Sequence, residues 1–339
     1  MSNNIRVAVS GTGGGAGQSI LKALADTDYD VIALDGEALG TGLYTTKNSY
    51  VIPYANSPYF VDAILNICQK EDVKIFFPGL DAELPVLSNA VDRFEAIGTK
   101  VMVSSPEVVQ LSDNKLLTYE VLTRHGINVP ATYDLATTDT AVIPLDYPFI
   151  LKEREGGARS QNLHIVRSKE QFDTLIAQGI DIQKYIAQEY IDGDEYTCGS
   201  VSFDGECMGV IVMRRILRDG DTYKCFSIRD DVIEAEVRKI AGAIKPFGAC
   251  NVQLRMKDGK PFVFEINARS SGTTGARALC GFNEPKMITD YLLLGKRPAY
   301  TITEQTILRY WKELVVPNAL VEKIKQDGKI ENNAAHLSL

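Results

Sequence analysis

The period of the apolar pattern changes partway along this chain, and that change constrains the fold most. Residues 5–105 alternate strand-like and helix-like runs. Strand-like runs fall at 5–10, 31–35, 73–77 and 100–103, with amphipathic stretches near 17–26, 58–70 and 82–95 between them. This is the pattern of a small parallel sheet covered by helices. Ser112-Asp113 reads as the cap of a further helix to about residue 124, which Gly126-Ile127-Asn128-Val129-Pro130 ends. From residue 149 onward strands dominate: 149–152, 163–166, 185–190, 196–202 and 206–214. A helix follows near 233–245, and two more near 274–280 and 284–294. A parallel α/β unit followed by a largely antiparallel α+β region implies separate modules. A chain of 339 residues is also long for one core.

The antiparallel region ends in a hairpin. Cys250, Val252, Leu254 and Met256 alternate with Asn251, Gln253 and Arg255. Phe262, Phe264 and Ile266 alternate with Val263, Glu265, Asn267 and Arg269, and Asp258-Gly259 marks the turn. A two-residue turn pairs Gln253 with Phe264 and leaves Gln253 and Glu265 on opposite faces. A three-residue turn, Lys257-Asp258-Gly259 with a glycine bulge, pairs Gln253 with Val263 and Asn251 with Glu265. It gathers Gln253, Glu265, Asn267 and Arg269 on one face, and is the expected register. Two amides and a carboxylate suit Mg2+ held by few protein ligands plus substrate phosphates. The adjacent guanidinium suits a transferring phosphoryl group. The alternative is an ordinary hairpin with one solvated polar face.

The loop Gly11-Thr12-Gly13-Gly14-Gly15-Ala16-Gly17 follows the first strand and fits a dinucleotide fingerprint, with Asp35 placed for a ribose. This permits an NAD-dependent oxidoreductase, although no hydride-transfer acid/base pair stands out. The loop equally suits a helix N-terminus that holds a carboxylate, a phosphate or only a turn.

Net charge is −8, with no basic run, which argues against a nucleic-acid partner. No run of about 18 apolar residues suggests a membrane span, and no signal peptide is apparent, so the expected location is cytoplasmic. Six scattered cysteines are expected as buried thiols. Three histidines without partners at metal spacing make zinc unexpected.

Lys115 lies in the first turn of a helix and Lys152 ends a buried strand. After Lys152 comes the small, cationic segment 154–162, which suits a lid over phosphates. In order, Asp113-Asn114-Lys115, Phe149-Ile150-Leu151-Lys152, 188–197, Asn251-Val252-Gln253 and 265–272 resemble the ATP-grasp superfamily. Within it they are most similar to the carbamoyl phosphate synthase large subunit and short carboxylate–amine ligases. The resemblance spans about 110–295. It implies a Rossmann-like pre-ATP-grasp domain at 1–108 and a two-lobed ATP-grasp fold. The small lobe (lid) is expected at 109–184, the large lobe with the metal hairpin at 185–300, and a C-terminal extension at 301–339.

The resemblance also implies roles. Lys115 and Lys152 hold the α- and β-phosphates, with Ser160 in the lid. The backbone of Glu189, Tyr190 and Ile191 reads adenine, with Gln188 nearby. Glu195 accepts from the ribose hydroxyls. Gln253, Glu265 and Asn267 hold one or two Mg2+, for which Mn2+ substitutes. Arg269 and Lys152 act in catalysis, Arg269 on the γ-phosphoryl group and then on an acyl phosphate. The chain departs from the family at Glu153 and Ala268, where Pro is usual, and in the spacing of the lid glycines. Gln253 in place of a carboxylate weakens a second metal site.

The implied enzyme is an ADP-forming, ATP- and Mg2+-dependent ligase that joins a small carboxylate, such as an amino acid, to an amine through an acyl phosphate. Its partners are those small molecules, and the family suggests a homodimer. Alternatives are carbamoyl phosphate-type phosphorylation of bicarbonate or carbamate, the NAD-dependent oxidoreductase, and a nucleotide-binding module without turnover.

Several other residues are open to two readings. Among Arg214, Arg215, Arg218, Lys224 and Arg229, some face the cleft or all decorate a hairpin. Asp81 and Glu83 bind an amine or cap a helix. Residues 270–274 contact the acyl group or cap a helix. Tyr300, Tyr310 and Trp311 read as packing residues.

Overall fold

The computed structural model describes residues 5–156, 162–333, 336, 337 and 339. Strands β1 (Arg6–Val9), β2 (Asp30–Asp35), β3 (Asn48–Val51), β4 (Ile75–Phe77) and β5 (Lys100–Val101) form a parallel sheet in the order 3-2-1-4-5. Helices α1 (Gly15–Leu24), α2 (Phe60–Lys70), α3 (Leu84–Ser88) and α4 (Val91–Ala96) accompany it. The expected parallel α/β unit is therefore present. Strand β3 was not anticipated, because Asn48-Ser49-Tyr50-Val51 is short and half polar. The stretch expected as one helix near 82–95 breaks at Asn89-Ala90 into α3 and α4.

Two more helices follow, α5 (Pro106–Asp113) and α6 (Lys115–Arg124). Ser112 and Asp113 belong to α5 and do not cap α6. The cap is Asn114, whose Oδ1 accepts from Leu117 N at 3.0 Å, so Lys115 is the first residue of α6.

A four-stranded sheet contains β6 (Thr132–Asp134), β7 (Phe149–Glu153), β8 (His164–Val166) and β9 (Tyr185–Glu189), with α7 (Lys169–Ala177) beside it. Phe149, Leu151, Phe172 and Ala187 form its own core. Because β9 pairs with β6 and β7, this sheet ends after Glu189 and not at the expected 184.

The third sheet is antiparallel. It contains β10 (Glu195–Phe203), β11 (Glu206–Arg218), β12 (Asp221–Ile228), β13 (Gly248–Lys257), β14 (Lys260–Asn267) and β15 (Thr306–Leu308) in the order 14-13-10-11-12-15. Helix α8 (Asp231–Ile244) covers one face through Ile233, Val237 and Ile240. Helices α9 (Thr274–Leu279) and α10 (Glu284–Leu294) pack against α1. Val7, Val9, Ile20 and Leu24 of the first unit share one apolar cluster with Val201, Phe203, Ile211, Met213, Phe282 and Ile288. Each such buried side chain contributes about 1.5–3 kcal/mol, so the cluster binds the first and third sheets firmly together.

The segment after 300 is no separate appendage. Residues 306–308 extend the third sheet, and Lys329–Ile330 pair antiparallel with β3 at the edge of the first. Tyr300 packs edge-on against Phe282, but Tyr310 and Trp311 are 83% and 92% exposed and are not packing residues. Among the described residues, five of the six free cysteines are buried, and no helix is long and apolar enough to cross a membrane.

The hairpin differs from its expected register. Lys257 pairs with Lys260, so the turn has two residues, Asp258 and Gly259, with φ of 51° and 72°. Positive φ at both positions matches the twist of the strands and suits Asp-Gly. The pairing then shifts between Gln253 and Leu254: Leu254 faces Val263, but Gln253 faces Glu265 and Asn251 faces Asn267. A β-bulge at Phe264 supplies the extra residue. Val263 and Ile266 both point into the core, so Phe264 leaves the apolar face assigned to it. The polar residues meet on one face through the bulge and not through a three-residue turn.

Candidate active site

The four-stranded and antiparallel sheets face each other across a cleft of about 1000 Å3, counted to its open mouth. On β7, Phe149 and Leu151 enter the sheet's own core, so Ile150 and Lys152 point the other way, into the cleft. Ile150, Leu163 and Ile165 form one apolar wall, with Leu217 and Phe264 opposite.

Lys152 is only 5% exposed, and its Nζ donates to the Phe264 carbonyl at 3.2 Å. The bulge places that carbonyl there. Burial pulls the Lys152 ammonium down to about 8, with Glu265 opposing and Lys115 adding to the fall. Lys115 Nζ donates to Gly156 O at 2.5 Å, its backbone N–H to Arg154 O at 2.8 Å, and Asn114 Nδ2 to Glu155 at 2.8 Å. The start of α6 is thus tied to the segment that leads into the expected lid. Ser160 lies outside the described residues.

Gln188 is buried and donates to Thr132 Oγ1 at 2.9 Å. The Glu189 N–H donates to Ala131 O at 2.8 Å, and the Ile191 carbonyl accepts from Arg255 Nη1 at 3.0 Å. The Arg255 guanidinium lies 5.3 Å from the centre of the Tyr190 ring.

A continuous polar row runs along the floor. Glu195 accepts from Arg255 on one oxygen (2.8 and 3.1 Å) and from Arg215 on the other (2.6 and 2.9 Å). Arg215 Nη2 also donates to Gln253 Oε1 at 2.5 Å. Gln253 Nε2 and Asn267 Nδ2 point at Glu265 Oε1, at 3.4 and 3.0 Å. Arg269 Nη2 lies 3.5 Å from Asn267 Oδ1. Arg269 is itself clamped by Asp81, Nε to Oδ1 at 2.7 Å and Nη2 to Oδ2 at 2.5 Å.

Nine expected residues therefore line one cleft: Lys115, Lys152, Gln188, Glu189, Tyr190, Ile191, Glu195, Gln253 and Glu265. Asn267 adjoins through Glu265. Arg269 stands at the far end of the row, held by the first unit. Glu195, expected to be open to ribose hydroxyls, is held by two arginines. Of the basic residues near β11, Arg215 enters the cleft, whereas Arg214 and Arg218 lie over Phe226 and Tyr223. Arg255 was missed, although its alternation with Gln253 put it on the same face. Phe264 was missed because the bulge left no sequence signal.

One carboxylate and two amides are a donor set that would suit a hard cation such as Mg2+ once phosphate oxygens complete it. Among the described residues, no group of three or more His, Cys, Asp or Glu offers a rival metal site.

The glycine loop has other work. Asp35 accepts from the N–H groups of Gly13 (2.6 Å) and Glu37 (2.9 Å). Gly11 has φ +59° and Leu80 fills the space where its Cβ would stand, at 2.5 Å. The loop is closed on itself, and Asp35 is committed to it. Residues 270–274 form a bonded turn ahead of α9, whose N-cap residue Thr273 makes no side-chain cap bond: Ser271 Oγ accepts from Thr273 N, and Thr274 Oγ1 donates to Glu284.

Two family profiles match the chain: "PylC-like, N-terminal domain" over residues 7–102 and "ATP-grasp in the biosynthetic pathway with Ter operon" over residues 181–313. The carbamoyl phosphate synthase large chain of Thermoanaerobacter sp. (strain X514) is 26% identical over 277 residues, 75% of this chain and 24% of that protein. The chain thus spans about a quarter of the length of this relative. The L-amino acid ligase from Bacillus licheniformis superposes with a TM-score of 0.65 at 16% identity, covering 86% of this chain and 74% of that one. The N5-carboxyaminoimidazole synthetase from Staphylococcus aureus, complexed with ADP, superposes with a TM-score of 0.66 at 15% identity, covering 96% of each. These structural likenesses are likenesses of fold.

Proposed function

Because the chain belongs to the ATP-grasp superfamily, we propose that it is an ADP-forming ligase that joins a small carboxylate to an amine through an acyl phosphate. The observation that carries this reading is Lys152. It is a buried cation in a cleft between two sheets, with Lys115 on the same side and Glu265, Gln253 and Asn267 opposite. Burying an ammonium without a full counter-charge is costly, and a polyphosphate offsets that cost.

In this reading the adenine ring lies between the apolar walls, beside the backbone of Glu189–Ile191. Lys115 and Lys152 neutralise the α- and β-phosphates. Glu265, with Asn267 and Gln253, would hold Mg2+, which when bound neutralises charge on the phosphate oxygens. The acid's carboxylate oxygen attacks the γ-phosphorus, and ADP departs. Lys152 and Arg269 stabilise the charge that develops. The acyl phosphate must be kept from water. The amine then displaces phosphate.

Support for the ligase over the oxidoreductase comes from Asp35. Its carboxylate is already bonded within the glycine loop, so a ribose would have to displace those bonds.

The test is ADP release with Mg-ATP across a panel of acids and amines, with Glu265→Ala and Arg269→Ala alongside. Amine-dependent release that both variants lose by at least a hundredfold is the expected result. ATP binding without release for any pair would instead favour a nucleotide-binding module.

A further inference from the structure

We propose that Asp81 is the binding site for the amine substrate, held as an ammonium ion beside Arg269. The proposal rests on the ligase reading above and names the group that receives its nucleophile.

Asp81 and Glu83 follow β4 and have opposite fates. Glu83 is 2% exposed, and its Oε2 accepts from Ser10 Oγ (2.7 Å), Gly79 N (3.1 Å) and Leu80 N (3.2 Å). It locks the turn. Asp81 takes no part in that lock. Among the described residues its side chain bonds only to Arg269, through both oxygens, and its side chain remains 40% exposed. Arg269 is 14% exposed at its side chain and ends the polar row through Asn267. Asp81 is therefore the solvent-facing half of an ion pair whose buried half points to the phosphoryl-transfer end of the cleft.

The position in the fold supports a substrate. Strands β1 and β4 are neighbours in the order 3-2-1-4-5, and the crevice outside their carboxyl ends is a topological switch point, where open α/β sheets take ligands. Asp81 sits on that rim, and Gly272, just after Arg269, comes against Gly15 of α1 across it.

Charge balance identifies the ligand. When Arg269 turns to the γ-phosphoryl group or the acyl phosphate, Asp81 loses its only cation. A bare carboxylate would then face a dianionic acyl phosphate. An ammonium group restores the pair and stands next to the acyl carbon. The reaction closes as follows: RCOOPO3(2−) and R′NH3(+) give RCONHR′, HPO4(2−) and one proton. The C–N bond forms as the C–O bond to phosphate breaks. One proton leaves with the phosphate, and Asp81 takes the other and passes it to solvent.

Hydroxylamine separates this role from a structural one, because it is neutral at pH 7.5 and traps the acyl phosphate as a hydroxamate without needing an ammonium site. Asp81→Asn keeps an oxygen for Arg269 and removes the charge. With an accepted acid and Mg-ATP, the variant is expected to form hydroxamate within threefold of the unsubstituted protein. Its KM for the amine is expected to rise at least tenfold, with partial recovery in Asp81→Glu. An unchanged amine KM would overturn the proposal. So would equal losses in both assays, which would make Asp81 only a positioning residue for Arg269. If the unsubstituted protein forms no hydroxamate with any acid, the ligase reading itself fails, and the amine site with it.

Discussion

Lys152 gives a pH dependence that can be worked through. Its ammonium falls from 10.5 to about 8, chiefly by burial. The fall is equivalent to about 3 kcal/mol of disfavoured charge. Between pH 8 and 10.5 the unfolded chain binds more protons at this site than the folded one. The unliganded protein therefore gains stability as pH rises through that window, and the cost is fully present below pH 8. Nucleotide has the opposite preference, because phosphates favour the charged lysine. If only charged Lys152 binds them, apparent Kd scales as 1 + 10^(pH − 8). Affinity for Mg-ADP should then weaken about tenfold from pH 7 to pH 9. Calorimetric titration at pH 7, 8 and 9 measures it. Lys152→Arg is the control, since a guanidinium stays charged and should flatten the curve. A Kd that changes less than twofold in the unsubstituted protein, or an equal change in Lys152→Arg, refutes the assignment.

Other outcomes follow from single contacts. Gln253→Glu adds a carboxylate beside Glu265 and Arg215, so Mn2+ should bind about tenfold more tightly in the presence of an ATP analogue. Titration followed by electron paramagnetic resonance reads this, and unchanged affinity argues against Gln253 as a ligand. Gly199→Ala would place Cβ 2.2 Å from Glu284 Oε1 and 2.5 Å from Arg277 Nη1, a pair that is 0% exposed. Disrupting it should cost about 3–5 kcal/mol in denaturant unfolding, and a loss below 1 kcal/mol would contradict the geometry. Burial raises Glu83 to about 7 despite its three donors. A carboxyl raised in the folded state costs stability as pH rises from about 4.5 through 7. Glu83→Gln should flatten that part of the stability–pH curve, and an unchanged slope would disprove the effect.

What the sequence disclosed follows the range of the forces involved. Period-2 and period-3.6 patterns are local, so the parallel unit, β7 with Lys152, and the helix starting at Lys115 were legible. The face shared by Gln253, Glu265 and Asn267 was legible as a result but not in its cause. A two-residue Asp-Gly turn and a bulge at Phe264 achieve what a three-residue turn would have achieved, and the alternating pattern does not decide between them, because it does not mark the bulge. Glu195 lines the cleft, but its arginine clamp was not legible, since Arg215 and Arg255 come from different strands. The pairing of Lys329–Ile330 with β3 was invisible, because two residues carry no period. Asp81 and Arg269 are 188 residues apart in sequence and meet only because α1 docks on α9 and α10.

The apolar cluster shared by the first and third sheets has a consequence for how such a protein diversifies. Val7, Ile20 and Leu24 from one side and Phe203, Phe282 and Ile288 from the other fix the seating of Asp81 over Arg269. Lys115, Lys152 and Glu265 lie outside that cluster. Small changes in those core side chains would shift the Asp81 carboxylate across the end of the polar row while leaving Lys115, Lys152 and Glu265 where they are. Under the amine-site proposal, choice of nucleophile then drifts through volume-neutral substitutions in a hydrophobic layer remote from Asp81 itself.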